Sequence, residues 1–274
     1  MRRFFKTILY WLLFLLVFLV AQLIAAFVLG FLGCDVYGDE GFMLSYALAM
    51  GVTYFAFTGV EKLVFKRIVS IEVKAKGFDP VIILAGVILL IALSVVLSPL
   101  ATMLPPDSRA FPDGPYTLLS VVVLAPILEE LIFRGRYYNV LNRNASPLAA
   151  ASLSAVAFGL VHMEPIVVIE ALLVGVILSF FYLSTRSIFA PIILHMCNNA
   201  IAYALVVLSY QGEPLTNIIG NQDTTLIVYI VSAMIVAIGA VVILRFFVRY
   251  GRKSHGEVAE ATEAPTPHDE SNVE

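Results

Sequence analysis

The stretch APILEELIFRGRYY, Ala125–Tyr138, places three ionisable side chains at the end of an apolar run. The preceding residues, YTLLSVVVL, have the composition of a membrane-spanning helix. Two adjacent glutamates, Glu129 and Glu130, follow, and Arg134 comes four residues after the second. Ionisable groups inside a membrane span are costly, so each is a candidate functional residue. An explanation for the position of these groups would indicate both the fold class and the function of the protein.

The composition of the whole chain is that of a membrane protein. Of its 274 residues, 60% are hydrophobic and 14% are charged, whereas soluble domains have roughly 45–50% and about 25%. Apolar runs of about 20 residues, each long enough for ~30 Å of hydrocarbon, recur along the sequence. The net charge of −3 indicates no nucleic-acid partner. We therefore expect an all-α polytopic membrane protein embedded in a lipid bilayer.

The apolar runs predict about eight transmembrane helices in one membrane domain, residues 1–250, with a catalytic core at 116–209. The first run is longer than the core of a signal peptide, so we interpret it as a retained span. The fifth run is short and ends in polar residues. The eight runs cover 4–32, 42–61, 80–103, 116–134, 147–162, 165–184, 188–209 and 224–247.

Basic residues predict the orientation of these spans. With the N-terminus inside and eight alternating spans, 16 of 17 Lys and Arg residues lie in the cytosol and only Arg109 lies outside. Cytoplasmic loops carry an excess of Lys and Arg. A multi-pass protein of the cell membrane with both termini in the cytoplasm is therefore expected. The tail 251–274 is acidic, has little to bury and is predicted to be disordered.

Helical spacing separates the roles of the two glutamates. Glu130 and Arg134 are four residues apart, so they can form an ion pair on one helix face. Glu129 is rotated by about 100° from Glu130 and therefore points elsewhere. It has no counter-charge nearby in the sequence. Glu129 is consequently the better candidate for a general base.

Two histidines and an asparagine supply the remaining parts of a hydrolytic site. His162 and His195 lie on different spans, and two neutral imidazoles can bind a divalent metal such as zinc. Asn199 follows His195 by one helical turn and can donate a hydrogen bond to an oxyanion. We expect these three residues and Glu129 to share one water-accessible cavity, reached from the cytosolic side.

Estimates of depth in the membrane agree for Glu129 and His195 but not for His162. His195 lies eight residues in from Ser187, or ~12 Å at about 1.5 Å per residue. From a cytosolic boundary near Arg136, Glu129 lies seven residues in, or ~10 Å at about 1.5 Å per residue. His162 lies 16 residues from Ser146, or ~24 Å. A tilted fifth span, or an amphipathic segment before it, would account for the difference.

Each of these features can also be interpreted as purely structural, with no role in catalysis. A clamp between spans would account for the Glu130–Arg134 pair. Polar side chains also join membrane helices through hydrogen bonds. Such structural roles are open for His162, Glu164, Glu170, His195, Asn198 and Asn199.

Three short motifs resemble those of a known family. EELIFRG, residues 129–135, resembles the EExxxR motif of the CAAX prenyl protease and bacteriocin-processing family, also called CPBP or Abi. FGLVH, residues 158–162, is similar to its FxxxH motif, and HMCNN, residues 195–199, to its HxxxN motif. All three occur in order on apolar helices, so the resemblance is specific over 116–200.

The resemblance implies an intramembrane endopeptidase that cleaves membrane-anchored proteins or peptides, as in CAAX processing, at a site open to the cytosol. The family is usually described as metalloproteases, which implies a divalent metal, with zinc the first choice. The resemblance leaves the metal ligands open, and His162 and His195 are the candidates that the residue pattern offers. The sequence contains no HExxH, so it is not a zincin. By the resemblance Glu129 activates water. The other implied site residues are Glu130, Arg134, His162, His195 and Asn199.

Two other functions fit parts of the pattern. One is a non-catalytic membrane scaffold or bacteriocin-immunity protein, which the intact motifs argue against. The other is a proton-coupled transporter with Glu129 and His195 as the relay. The sequence shows no inverted repeat of the kind that many transporters contain, which argues against the second.

Overall fold

A computed structural model describes residues 2–66, 71, 79–104, 112, 114–208 and 213–263. In these ranges all regular secondary structure is helical, which confirms the all-α fold. The helices are α1 (Arg2–Phe31), α2 (Asp39–Phe65), α3 (Pro80–Met103), α4 (Pro115–Asn142), α5 (Pro147–Leu160), α6 (Pro165–Thr185), α7 (Phe189–Val207), α8 (Leu215–Ile219) and α9 (Gln222–Glu263).

Seven of the described helices are long and apolar enough to cross a membrane. The chain is therefore a polytopic membrane protein, as predicted. Of the roughly eight transmembrane helices expected, the fifth, α5, is shorter than a full span. Helix α5 has only 14 residues and rises about 21 Å, less than the ~30 Å hydrocarbon core. It is short because Ser146 caps its start and the chain turns at His162 before α6 begins at Pro165.

Contacts between helix ends show which ends of the helices lie together. One end of the bundle is rich in acidic residues and is called the acidic end, and the other is called the basic end. The Asp39 carboxylate, at the start of α2, accepts the backbone N–H of Thr117 at 2.6 Å, in the first turn of α4. Near the other ends of these helices, Arg143 donates to Glu61 at 3.2 Å. Helix α5 starts beside Arg143 and runs back towards the acidic end, and α6 returns.

Most of the described charges at these ends differ in sign, although Glu61 and Asp79 are acidic residues at the basic end. The acidic end carries Asp35, Asp39, Glu40, Glu164, Glu213 and Asp223. The basic end carries Lys6, Lys62, Lys66, Arg143, Arg186, Arg245, Arg249 and Arg252. The predicted asymmetry also used Arg67, Lys74, Lys76 and Arg109, which lie outside the described residues.

Helix α4 contains two π-helical segments, Ser120–Leu124 and Leu131–Tyr137, which flank the α-helical Ala125–Glu130. The N–H of Tyr138, for example, bonds the carbonyl of Phe133, five residues earlier. Such segments are rare and often occur at functional sites. They change the direction in which the glutamates point relative to the two ends of the helix.

An aromatic core fills the bundle between the glutamates and the basic end. Phe14 of α1 stacks on Tyr137 of α4 with ring centroids 4.1 Å apart. Phe57 of α2 and Phe133 of α4 meet Phe14 edge-on at 5.4 and 5.2 Å. All four side chains are at most 1% exposed. This aromatic core, Phe14, Phe57, Phe133 and Tyr137, ties α1, α2 and α4 together.

The last helix extends further than the composition predicts. It continues through 251–263, part of the segment expected to be disordered, and ends at Glu263. Extending an existing helix requires no new nucleation, and this stretch is rich in Ala and Glu, which favour helix. Residues 264–274 of the predicted tail lie outside the described residues.

Candidate active site

The predicted ion pair lies at the centre of the site. Arg134 Nη1 donates to Glu130 Oε1 at 2.7 Å, and both side chains are fully buried. The i,i+4 spacing therefore places the pair correctly, even though Arg134 lies in a π-helical segment. Removing such a pair from water is costly, so its remaining polar atoms need partners too.

Arg134 is held on three sides by its surroundings. Its Nη2 donates to the carbonyl of Gly175 in α6 at 3.0 Å, and its guanidinium lies over the Phe158 ring at 4.7 Å. A Cβ on residue 175 would lie 3.3 Å from that nitrogen and 3.1 Å from Ala155. Gly175 therefore lets the arginine approach the α6 backbone closely.

His195 lies between the two glutamates. Its Nδ1 is 3.0 Å from Glu130 Oε1, and its Nε2 is 3.6 Å from Glu129 Oε2. A hydrogen bond from Nδ1–H to Glu130 fixes the orientation of the ring, so Nε2 faces Glu129. Arg134, Glu130, His195 and Glu129 thus form one continuous polar chain, here called the carboxylate cluster.

Glu129 points away from Glu130, as the helical offset predicts. Its Oε1 accepts a hydrogen bond from the Tyr46 hydroxyl of α2 at 2.5 Å. Its other oxygen faces His195, and the residue is 8% exposed. The carboxylate therefore lies at the edge of the buried region, with one oxygen fixed by a hydroxyl and the other beside an imidazole.

Phe158 separates the two histidines. Its ring centroid is 5.0 Å from that of His162 and 5.6 Å from that of His195. His162 is half-buried, and its Nδ1 is 2.7 Å from the Phe158 carbonyl near the end of α5. With Nδ1–H donated to that carbonyl, Nε2 is the ring atom presented to a substrate or water. The structure therefore places both histidines around one aromatic ring.

Asn199 contacts α4 on the acidic side of Glu129. Its Nδ2 donates to the carbonyl of Val121 at 2.9 Å, within the first π-helical segment. One of its two amide hydrogens is therefore committed to holding α7 against α4. The second hydrogen is the one that could serve an oxyanion.

The depth estimate for Glu129 was wrong because Arg136 does not mark the membrane boundary. Arg136 is 9% exposed and donates to Tyr54 at 2.9 Å, so it is part of the interior. Helix α4 continues to Asn142, which puts Glu129 13 residues from its end, or about 20 Å. This value approaches the ~24 Å estimated for His162, although it departs from the ~12 Å estimated for His195.

A cluster of fixed charges that the sequence analysis missed lies nearer the basic end. Glu61 of α2 is 1% exposed and pairs with Arg136 at 3.5 Å and Arg143 at 3.2 Å. We call Glu61, Arg136 and Arg143 the arginine clamp. Tyr46 was also missed, because no local pattern links it to a glutamate 83 residues later.

The predicted zinc ligands do not form a complete set. Catalytic zinc normally takes three protein ligands. Among the residues that the structure describes, no three His, Cys, Asp or Glu side chains are grouped to hold a metal ion. His195 Nδ1 bonds Glu130 and His162 Nδ1 bonds a backbone carbonyl, which leaves Nε2 of each ring as the nitrogen that could bind a metal. A zinc site with His162 and His195 as ligands stays a prediction.

Comparison with known proteins relates this site to a family. Residues 112–201 match the family model described as type II CAAX prenyl endopeptidase Rce1-like. This segment is therefore similar to members of the CPBP family. The match covers α4 to α7 and includes every residue of the carboxylate cluster, His162 and Asn199. Tyr46 and Glu61 lie outside it.

Two curated membrane peptidases are also similar to part of this chain. The chain is 30% identical over 110 residues to YdiL of Bacillus subtilis (strain 168), named as a candidate membrane peptidase, covering 40% of this chain and 43% of YdiL. It is 29% identical over 104 residues to the membrane-embedded CAAX protease MroQ of Staphylococcus aureus (strain USA300), covering 36% and 42%.

A third relative carries no functional name. An uncharacterized 24.3 kDa protein of Escherichia coli is 31% identical over 121 residues, covering 42% of this chain and 55% of that protein. The chain thus spans about half the length of the curated relatives it matches, or less. No solved structure matches the chain significantly.

Proposed function

We propose that this chain is a membrane peptidase that hydrolyses peptide bonds of membrane-associated substrates with Glu129 as the general base. The observation that carries the proposal is the 3.6 Å separation of Glu129 Oε2 and His195 Nε2. Tyr46 and Glu130 hold these two groups from their far sides. The similarity to the CPBP family supports a peptidase over other hydrolases.

The gap between the two groups suits a water molecule. At 3.6 Å the separation exceeds a hydrogen bond of about 2.7–3.2 Å. A water placed beside the pair can lie about 2.8 Å from both atoms and donate one hydrogen to each. Such a water has its oxygen lone pairs directed away from the protein groups and towards a bound peptide carbonyl.

Hydrolysis then follows in two steps. Glu129 takes a proton from the water, the water oxygen bonds the carbonyl carbon, and the carbonyl electron pair moves to its oxygen. The carbon–nitrogen bond then breaks, and Glu129 returns its proton to the leaving nitrogen. Arg134 and Glu130 take no direct part in either step, since they position His195.

His162 and Asn199 are the proposed partners of the developing oxyanion. Each presents one polar group after its structural hydrogen bond is made: Nε2 of His162, and the second amide hydrogen of Asn199. For His162 to donate it must carry a proton on Nε2, which a protonated imidazole does. Donors aimed at an oxyanion in a site of low water content are effective electrostatic catalysts.

The test is cleavage of defined substrates by purified protein in proteoliposomes. A library of lipid-anchored peptides is incubated with the protein, with and without a chelator, and products are identified by mass spectrometry. The variants are Glu129→Gln and, as a matched control, Glu170→Gln, which changes another glutamate inside a span. Only the comparison of incubations with and without chelator tests whether cleavage depends on zinc.

Each outcome decides a different part of the proposal. Products from the natural sequence and from Glu170→Gln, but not from Glu129→Gln, are expected. Equal products from Glu129→Gln would overturn the assignment of the base. If folded protein yields no products under any condition, a non-catalytic scaffold or immunity role replaces the peptidase. Activity lost with chelator and restored by zinc would require metal ligands beyond those described.

A further inference from the structure

Asn139 lies two residues beyond the second π-helical segment of α4, Leu131–Tyr137. Asparagine is a weak helix former, because its side chain competes for backbone hydrogen-bonding groups. Here the side chain turns back along the helix, and its Nδ2 donates to the carbonyl of Gly135 at 2.8 Å. The carbonyl of Arg134 is 3.4 Å from the same nitrogen. The amide of Asn139 therefore contacts the backbone inside the π-helical segment.

The hydrogen bond to Gly135 bears on the form of the helix. In a regular α-helix, the carbonyl of residue 135 would accept the backbone N–H of residue 139, four residues later. In a π-helical turn the donor lies five residues later, as it does where the N–H of Tyr138 bonds the carbonyl of Phe133. The Asn139 side chain competes with its own backbone N–H for the Gly135 carbonyl, which favours the π-helical pairing.

The same amide contacts α6. Its Nδ2 lies 3.3 Å from the hydroxyl of Tyr182, which is 8% exposed. Seven residues earlier on α6, the Gly175 carbonyl accepts a hydrogen bond from Arg134 Nη2 at 3.0 Å. Residues seven apart lie on one face of a helix. Arg134 is thus bonded to this face of α6 through its guanidinium, and the backbone that carries it is held beside the same face by Asn139.

The position of Arg134 determines that of the carboxylate cluster. Its Nη1 bonds Glu130 at 2.7 Å, and the same Glu130 oxygen lies 3.0 Å from His195 Nδ1. His195 in turn faces Glu129 across 3.6 Å. Because α-helical and π-helical turns hold different numbers of residues, a change of pairing at Gly135 would rotate Glu130 and Arg134 relative to the residues that follow.

We infer that Asn139 is a positioning residue of the proposed active site. Its amide stabilises the π-helical form of Leu131–Tyr137 and so sets the direction from which Arg134 reaches Glu130 and, through it, His195. Asn139 lies outside all three sequence motifs. The consequence for catalysis rests on the proposed peptidase function, whereas the geometry exists in the protein without substrate.

The kinetic test compares Asn139→Leu with Asn139→Asp, two replacements close in size to asparagine. Leucine cannot donate to Gly135 and neither can an ionised carboxylate, but a protonated carboxyl can. We expect kcat per folded molecule to fall about tenfold in Asn139→Leu at every pH, the effect of one hydrogen bond, with KM unchanged. Asn139→Asp should show this loss at high pH and recover as the pH falls. Asn142→Asp, three residues further along α4, is the control and should match the natural sequence.

Nitrogen NMR of protein labelled at its histidines tests the geometry in detergent without any substrate. The signal of His195 Nδ1, which bonds Glu130, is identified by its loss in His195→Gln. We expect this signal to shift in Asn139→Leu and to stay in place in Asn142→Asp. In Asn139→Asp it should shift at high pH and return at low pH, a measurement that replaces Asn139→Leu if that variant does not fold.

The two tests separate a positioning role from a purely structural one. An unmoved His195 signal in a folded Asn139 variant would overturn the inference, even if the thermal midpoint fell. A shifted signal with unchanged kcat would overturn it as well, because the shift would then have no consequence for the reaction. If the natural sequence cleaves no substrate but the signal shifts as expected, the peptidase proposal fails and the structural part of the inference stands.

Discussion

The carboxylate cluster and the arginine clamp both join α4 to other helices through charged side chains, but their charges balance differently. The cluster sets two glutamates, Glu129 and Glu130, against one arginine and a histidine. The clamp sets one glutamate, Glu61, against two arginines. Two arginines around a single glutamate give each of its oxygens a partner. The clamp is therefore suited to joining helices.

The excess of acid in the cluster has the opposite consequence. Arg134 neutralises Glu130, so Glu129 is left with a hydroxyl and an imidazole as its partners. Neither is a permanent charge, and both can exchange protons or reorient. Two similar sets of residue types thus give a structural contact in one place and, in the other, the carboxylate that we propose as the general base. The following variants test this difference.

Replacing the reactive carboxylate should have the largest effect. Glu129→Gln keeps the shape and can still bond Tyr46, but it cannot take a proton from water. We expect the cleavage rate to fall by roughly 10²–10⁴-fold, the usual contribution of a general base. The measurement is the rate of product formation at equal amounts of folded protein. Retention of more than a tenth of the rate would contradict the role of Glu129.

Breaking the buried pair of the cluster should chiefly affect stability. Arg134→Ala leaves Glu130 without its counter-charge in a fully buried position. The expected loss is about 3–5 kcal/mol, seen as low accumulation and a lower thermal midpoint in detergent. Arg249→Ala, which removes an exposed arginine, is the control. Similar midpoints for the two variants would show that the pair is not essential to the fold.

Breaking the clamp should destabilise the protein without changing its chemistry. Glu61→Gln removes the charge that faces the buried Arg136 and the partly exposed Arg143. We expect a loss of about 1–3 kcal/mol, typical of hydrogen bonds to charged groups. The rate per folded molecule should stay the same, with Glu40→Gln as an exposed control. A fall in that rate would mean that the clamp also shapes the site.

The smallest effect is expected from the hydroxyl that holds Glu129. Tyr46→Phe removes one hydrogen bond and keeps the ring in place. A single hydrogen bond is worth about 0.5–1.5 kcal/mol, so the cleavage rate should fall by up to tenfold. The change should appear in kcat and leave KM unaltered. An unchanged kcat would indicate that His195 alone orients the carboxylate.

The parts of the site that were predictable are those encoded by local spacing. The interval of four residues determines the Glu130–Arg134 pair, and the offset of one residue turns Glu129 away from it. The motif resemblance brought His195 to the same site, although spacing alone could not show that it bridges both glutamates. The assigned roles of these residues in catalysis stay predictions.

The parts that were missed depend on contacts between distant helices. A tyrosine in an apolar helix reads as a packing or interface residue, so Tyr46 gave no signal. An arginine at the end of an apolar run reads as a membrane boundary, yet Arg136 is enclosed by Glu61 and Tyr54. The same error made the predicted fourth span too short. The length of α5 depends on where the turn that follows it packs. The pattern of apolar residues in the sequence does not show where that is.

The π-helical segments of α4 show how the glutamates obtain their position. The helix is held near one end by Asp39 and further along by Gly175, which binds Arg134. These two anchors belong to other helices, so the distance between them does not depend on α4. A π-helical turn is wider and holds more residues than an α-helical turn. Helix α4 thus fits a surplus of residues between fixed anchors, and the number of residues there sets the direction in which Glu129 points.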